Sequence, residues 1–172
     1  KLEIPRCFHA NVFNFQQAEN LQEFKIEPPS WDPCEVAERI LKNSGADIRY
    51  DKTDTAYYSP RHDQIHMPPK VMFPDAAAFV GTALHELGHW TSDESRLNRK
   101  LGAAFQSPEY ATEELYVEIS AWMTSQKLGL PHDPERHVAY IGSWIQALNN
   151  DHNLLHRASK EAEKISEYIL QF

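Results

Sequence analysis

The pattern H-E-x-x-H at residues 85–89 constrains this chain more than any other stretch of its sequence. On a helix, residues four apart lie on the same side and about 6 Å apart along the axis, so His85 and His89 can bind one cation. Glu86 cannot easily join the same coordination sphere, but it can take a proton from a metal-bound water. The pattern therefore predicts a helix with a zinc site and Glu86 as the candidate general base.

The residues around this pattern support a helix. Asp75 follows Pro74, a combination typical of a helix start. Gly88 lies inside the helix at a cost of roughly 1 kcal/mol relative to alanine, so we expect a strand to cross close to it. Apolar residues at helical spacing predict the core face, which comprises Phe79, Ala83, Leu87 and Trp90.

A second predicted helix supplies the third ligand. Ser107 and Pro108 indicate its start, and Gly129 indicates its end after Leu128. Its residue Glu114 lies far enough beyond His89 for this helix to return across the first one and offer a carboxylate.

Two neighbouring acids, Glu113 and Glu118, are alternatives for the same ligand position. The helix also carries apolar residues at Leu115, Ile119 and Trp122. A buried carboxylate without a partner is costly, so this setting favours a metal ion nearby.

The remaining histidines are weaker candidates. His62 and His66 lie in or beside a predicted strand, where a histidine is more often hydrogen-bonded or on the surface. His152 and His156 lie four apart near the start of the last predicted helix, but no glutamate brackets them. We therefore expect one zinc ion.

Composition limits the function classes. The 172 residues, 41% of them hydrophobic, can bury the core of one domain over residues 1–172. No apolar run approaches the roughly 18 residues that span a bilayer, and no signal pattern opens the chain. We therefore expect a cytoplasmic protein without membrane contact. Cys7 and Cys34 are expected to be free thiols.

The net charge of −8 argues against a stand-alone nucleic-acid binder, because affinity for phosphates comes from lysine and arginine. One basic cluster, Arg96, Arg99 and Lys100, follows the first helix. We interpret it as part of a solvated loop.

The rest of the chain predicts a mixture of strands and helices. A strand is expected at residues 7–15, a helix from Asp32 to about residue 43, and a hairpin of residues 56–58 and 64–67. Two C-terminal helices are expected to meet near residues 149–151. Their apolar faces should pack against the first two helices through Val138, Ile141, Ile145 and Leu148, and through Leu154, Leu155, Ala158, Ala162, Ile165 and Ile169.

Several motifs in a fixed order carry a family resemblance. They are Val12-Phe13-Asn14, Tyr58-Ser59-Pro60 with Asp63, His85 to Thr91, Ser95 to Arg99, Tyr110 to Leu115 with Glu118, and Tyr140-Ile141 with Trp144. In these motifs the chain resembles the zincin-like metallopeptidase domain of the ArdC/TraC family of antirestriction and plasmid-primase proteins. The acidic segment Ser92-Asp93-Glu94 departs from that pattern, so the loop after the first helix is expected to differ in shape, while the metal ligands are not affected.

The resemblance implies an α+β zincin-like fold with a small antiparallel sheet, a zinc-site helix, a glutamate helix and C-terminal helices. In the gluzincin pattern E-x-x-x-D/E, the first acid binds zinc and the second orients a ligand histidine. This implies that His85, His89 and Glu114 are the Zn²⁺ ligands and that Glu118 is the outer partner.

The implied activity is that of a zinc metallopeptidase acting on a peptide or protein substrate. The resemblance also implies a longer protein, with a single-stranded-DNA-binding domain before this one and a restriction system as a partner. Tyr58, Tyr110 and His156 are candidates for stabilising the oxyanion.

An alternative is a non-catalytic, zinc-stabilised interaction module that binds a restriction enzyme or a DNA-associated partner. Glu86 favours catalysis, because a purely structural site needs no base.

Overall fold

The computed structural model describes residues 32–51, 54–101, 107–131, 138–151 and 153–172, so the strand predicted at residues 7–15 lies outside it. Five helices and three strands are described, which confirms the α+β class. In chain order they are α1 (Pro33–Asn43), β1 (Asp47–Tyr50), β2 (Tyr57–Ser59), β3 (Gln64–Met67), a 3₁₀ turn (Lys70–Met72), α2 (Ala76–Trp90), α3 (Pro108–Leu128), α4 (Val138–Asn150) and α5 (Leu154–Ile169).

The three described strands form one mixed sheet in the order β1-β3-β2. β2 and β3 form the predicted antiparallel hairpin, with Tyr58 opposite Ile65. β1 runs parallel to β3, with Ile48 also opposite Ile65, so the expectation of an antiparallel sheet throughout is wrong. The reason is that β3 returns from the hairpin into the space between β1 and β2.

Side-chain caps explain where the helices begin. Asp32 accepts hydrogen bonds from the first turn of α1, Asp75 accepts one from the amide of Ala78, and Ser107 accepts one from the amide of Tyr110. These contacts satisfy amides that have no partner within the helix. α3 ends at Gly129, whose φ of 76° is the left-handed conformation that glycine adopts at low cost.

Helix α2 lies at the centre of the fold and contacts α1, β2, β3, α3 and α5. Its predicted core residues Phe79, Ala83, Leu87 and Trp90 are all buried, as expected. On the sheet, Ile65 and Met67 are fully buried in the same core. The apolar side of α2 therefore fixes the direction in which its histidines face.

The C-terminal helices cover α3, but two of the predicted contacts are wrong. Leu155 and Ile145 are 53% and 55% exposed, respectively. Leu155 follows the buried Leu154 and is turned about 100° away from the buried side of α5. Among the side chains of α4 that the structure describes, Trp144, Ala147 and Leu148 form the packed face, while those of Val138 and Ile141 lie outside the description. None of the described helices is long and apolar enough to cross a membrane.

Gly88 marks the closest approach of two helices. A Cβ atom at this position would lie 2.8 Å from Cγ1 of Val117 and 3.4 Å from Oγ of Ser120, both on α3. The expectation that a strand crosses here is therefore wrong, because the passing element is the helix that carries Glu114. The absence of a side chain brings the two backbones together at the level of His89.

We expect Gly88→Ala to lower the free energy of unfolding of the metal-free protein by about 1–3 kcal/mol, because the new methyl group overlaps Val117. Gly81→Ala is a matched control, since a Cβ atom at Gly81 meets nothing within 4 Å. It should leave stability unchanged or raise it by up to about 1 kcal/mol. Urea unfolding followed by circular dichroism measures both variants, and equal effects would contradict the close approach.

Candidate metal centre

Three predicted ligands converge where α2 meets α3. Donor atoms of His85, His89 and Glu114 all lie within 4.8 Å of one another. The two Nε2 atoms are 3.2 Å apart, and oxygens of Glu114 lie 3.5 Å from Nε2 of His85 and 3.3 Å from Nε2 of His89. Ligands bound at 2.0–2.2 Å to a tetrahedral ion lie about 3.3 Å apart, so the spacing suits one metal ion.

Glu114 provides the test of whether these residues fit a cation. Its side chain is buried, and among the described residues no hydrogen bond reaches its Oε2. Burial raises the pKa of Glu114, but the neighbouring His85 and His89 rings outweigh this effect and hold the pKa well below its usual range. A buried anionic oxygen without a donor is costly. The site therefore fits a divalent metal.

Glu118 supports His85 from the side opposite Glu114. Its Oε2 lies 2.7 Å from Nδ1 of His85. A carboxylate there accepts the Nδ1 proton and leaves the Nε2 lone pair directed at the other donors. This is the arrangement that the family resemblance implies for Glu118.

Glu113 occupies the corresponding place behind His89, although less closely. Its Oε1 is 3.7 Å from Nδ1 of His89, which is longer than a hydrogen bond, and it accepts a 2.8 Å bond from Arg99. Successive residues on a helix point about 100° apart, so Glu113 and Glu114 cannot both face the donors. From the sequence, Glu113 was expected only as an alternative metal ligand, and its position behind His89 was not predicted.

The two histidines lie in a negative field. Burial lowers the pKa of His85, but Glu114 and Glu86 outweigh that effect, and the pKa is raised. The same holds for His89, where Glu113 and Glu114 raise the pKa against burial. The surroundings of both rings therefore attract positive charge, which a proton or a metal ion can supply.

Glu86 is buried next to His85, with 7% of its surface exposed. Across the residues that the structure describes, neither a hydrogen bond nor an ion pair engages its carboxylate. A carboxylate in this position is available to exchange protons with a ligand.

The candidates for oxyanion stabilisation lie in different settings. The hydroxyl of Tyr58 donates to Asp63 at 2.8 Å, and burial raises its pKa. Tyr110 is half-buried in the first turn of α3, and His156 is exposed on α5. The role stays a prediction for all three.

His62 and His66 are placed as expected for histidines in or beside a strand. His66 is hydrogen-bonded to Asp51 and stacks on Tyr57 with ring centroids 4.5 Å apart, while His62 lies 3.1 Å from the hydroxyl of Ser59. His152 lies outside the described residues.

The interpretation of Arg96 and Arg99 as solvated residues is wrong. Their side chains are only 8% and 7% exposed, because each guanidinium packs against α2 and finds acceptors there and on a second element. Arg96 stacks over Trp90 at 3.9 Å and donates to its carbonyl oxygen, while Arg99 reaches Glu113. Lys100 is exposed.

We expect Glu114→Ala to abolish stoichiometric zinc binding, because it removes one of three converging donors. Glu118→Ala should keep the zinc but lower its affinity by about 10- to 100-fold, the usual effect of losing an outer partner. Elemental analysis and chelator competition after identical purification measure both. Equal metal content in the unaltered protein and Glu114→Ala would contradict this ligand assignment.

We also expect removal of metal to destabilise the fold. An ion that binds only the folded state adds about 4 kcal/mol at a free concentration of 1,000 times its dissociation constant. Thermal unfolding with and without a chelator measures the loss. An unchanged melting temperature would argue against a buried metal site, and Glu114→Ala, which should not respond to chelation, is the control.

Comparison with known proteins supports a divalent metal in a domain of this fold. The profile of a zincin-like metallopeptidase family matches residues 35–161. A DNA primase TraC of Escherichia coli is 47% identical over 172 residues, which is all of this chain but 16% of that protein. A second TraC of the same species is 45% identical and covers 99% of this chain and 12% of its own length. The chain thus spans less than a fifth of these relatives.

Solved structures show the same fold. The Mn(II)-bound crystal structure of the antirestriction protein ArdC from plasmid R388 is 37% identical, with a TM-score of 0.73 over 92% of this chain and 60% of that one. The metal-free ArdC structure is 35% identical, with a TM-score of 0.70 over 92% and 58% of the two chains. Because the family profile covers most of its length, the chain belongs to the zincin-like metallopeptidase family, with TraC and ArdC proteins among its relatives.

Proposed function

We propose that this chain is a zinc-dependent peptidase domain that hydrolyses peptide bonds in a protein substrate. The observation that carries the proposal is that three donors converge beside an unengaged, buried Glu86. Structural zinc sites have four protein ligands, whereas catalytic sites have three and keep one position open. Within the described part of the chain, His85, His89 and Glu114 are the only donors in the cluster, which favours the catalytic type.

The proposed mechanism assigns the proton transfers to Glu86. His85, His89 and Glu114 would hold the zinc ion, which when bound would acidify a water molecule and polarise the scissile carbonyl. Glu86 accepts the water proton and later donates it to the leaving amine. Glu118, through its contact with Nδ1 of His85, keeps Nε2 of that ring free to bind the metal.

The sheet offers a place for the substrate. β2 lies at an edge of the described sheet and contacts α2, the helix that carries both histidines. An extended peptide can add to such an edge through main-chain hydrogen bonds. We propose that the substrate binds along β2 and places its scissile bond over the metal centre.

The relatives suggest the biological setting. They are named as DNA primases and as an antirestriction protein, and they are longer than this chain. We propose that the peptidase domain works in the cytoplasm within a longer plasmid-encoded protein, in which another segment binds single-stranded DNA and a restriction system supplies the partner or substrate.

The decisive experiment is Glu86→Gln, which keeps the size of the side chain but removes the base. Zinc content should stay the same, and peptide cleavage should fall by about 10²- to 10⁴-fold, the usual contribution of a general base. Mass spectrometry of products from a denatured protein mixture measures cleavage. Glu94→Gln, at an exposed loop acid, is the matched control.

Two outcomes would contradict the proposal. Undiminished cleavage by Glu86→Gln would remove Glu86 from the mechanism. If the unaltered protein and Glu86→Gln protect plasmid DNA from restriction equally well in cells, the non-catalytic interaction module becomes the better account.

A further inference from the structure

The side chain of Arg99 is only 7% exposed and contacts Glu113, which lies beside the ligand His89. The proposed peptidase mechanism gives Arg99 no role. Its Nη2 donates to Oε1 of Glu113 at 2.8 Å, and its Nε donates to Oε2 of the same carboxylate at 3.3 Å. Nη1 donates to the hydroxyl of Thr91 at 2.8 Å, and Nη2 also donates to the carbonyl oxygen of Gly88 at 2.8 Å. These four contacts lead to Glu113 and to the last turn of α2.

The contact with Glu113 controls a charge beside His89. Glu113 is 4% exposed, and its carboxylate is 3.7 Å from Nδ1 of that histidine. A buried carboxylate without its cation would rotate or take up a proton. By binding both oxygens, Arg99 fixes the orientation of the Glu113 carboxylate in the outer position behind His89.

The contact with Gly88 acts on the backbone. Gly88 lies in the last turn of α2, where carbonyl groups lack helical partners. Its oxygen accepts bonds from Arg99 and from the hydroxyl of Thr91, the latter at 2.7 Å. The peptide unit that joins Gly88 to His89 is therefore fixed immediately before the ligand.

We infer that Arg99 is a positioning residue of the metal centre: through Glu113 and the Gly88 carbonyl it sets the orientation of His89, and thereby the affinity and geometry of metal binding. The inference rests on the metal site of the proposed function and not on peptidase activity.

A simpler role would be to tie the loop after α2 to α3 without any effect on the metal. Arg96 provides the comparison, because it lies in the same loop and is equally buried. It donates to Trp90 and Asp63 and lies within 3.4 Å of the Tyr58 hydroxyl. Its contacts in the described structure include none of the metal-site residues. Loss of Arg96 therefore reports on the packing of this loop against α2 and the hairpin, without removing a contact to the metal-site residues.

The test compares Arg99→Met and Arg99→Lys with Arg96→Met. Zinc affinity is measured by chelator competition, and site geometry by the visible absorption spectrum of the Co²⁺-loaded protein. Arg99→Met should weaken zinc binding by about 10- to 100-fold. Arg99→Lys keeps the charge but loses the two-pronged contact, so it should lose less affinity and still alter the spectrum. Arg96→Met should lower the melting temperature and leave both metal readouts unchanged.

A double variant tests the proposed route. If Arg99 acts through Glu113, then Arg99→Met combined with Glu113→Gln should bind zinc no more weakly than Arg99→Met alone, since contacting residues are not additive. Additive losses would overturn the route through Glu113.

Other results would overturn the inference itself. Unchanged affinity and spectra in both Arg99 variants would make Arg99 a loop anchor, and an equal loss in Arg96→Met would give the same conclusion. If Arg99→Met does not fold, the zinc affinity and Co²⁺ spectrum of Arg99→Lys decide whether Arg99 positions the metal centre. Absence of metal binding by the unaltered protein would instead remove the metal site of the proposed function, and this inference with it.

Discussion

Among the residues that the structure describes, the packing of α2 against α3 brings four buried carboxylates together with three basic side chains, and the metal centre depends on this grouping of charge. Glu86, Glu113, Glu114 and Glu118 are all 8% exposed or less. They face two histidines and Arg99. Taking a carboxylate out of water costs several kcal/mol unless a cation or donors replace the solvent. A divalent ion would supply the missing positive charge next to Oε2 of Glu114, which has no donor among the described residues.

The three converging donors lie on two packed helices and not on loops. The missing side chain at Gly88 lets α3 come close enough for Glu114 to meet both imidazoles. On its other side α2 packs on the sheet, and α3 is held by α5. A metal centre needs donors placed to within a few tenths of an ångström, and this double-sided packing restricts the only two elements that supply them.

Patterns within a few neighbouring residues predicted the two histidine donors, whereas contacts between residues distant in the sequence could not be predicted. His85 and His89 follow from i,i+4 geometry, and the caps at Asp75 and Ser107 report on their own first turns. The direction of β1 depends instead on where the hairpin returns, and the element beside Gly88 depends on helix packing. Arg99 looked solvated because its carboxylate partner, Glu113, is brought to it by α3, which a charge pattern within one loop cannot reveal.

The donors, their outer partners and the buried arginine all lie in one contiguous stretch, residues 85–118. No residue of this set comes from α1, the sheet, α4 or α5. A site encoded in this way can pass between genes as a single block, because recombination on either side separates none of its parts. The same domain occupies 16% of one TraC and 60% of ArdC. Compact coding therefore keeps the donors of the centre together when the domain is joined to chains of different length.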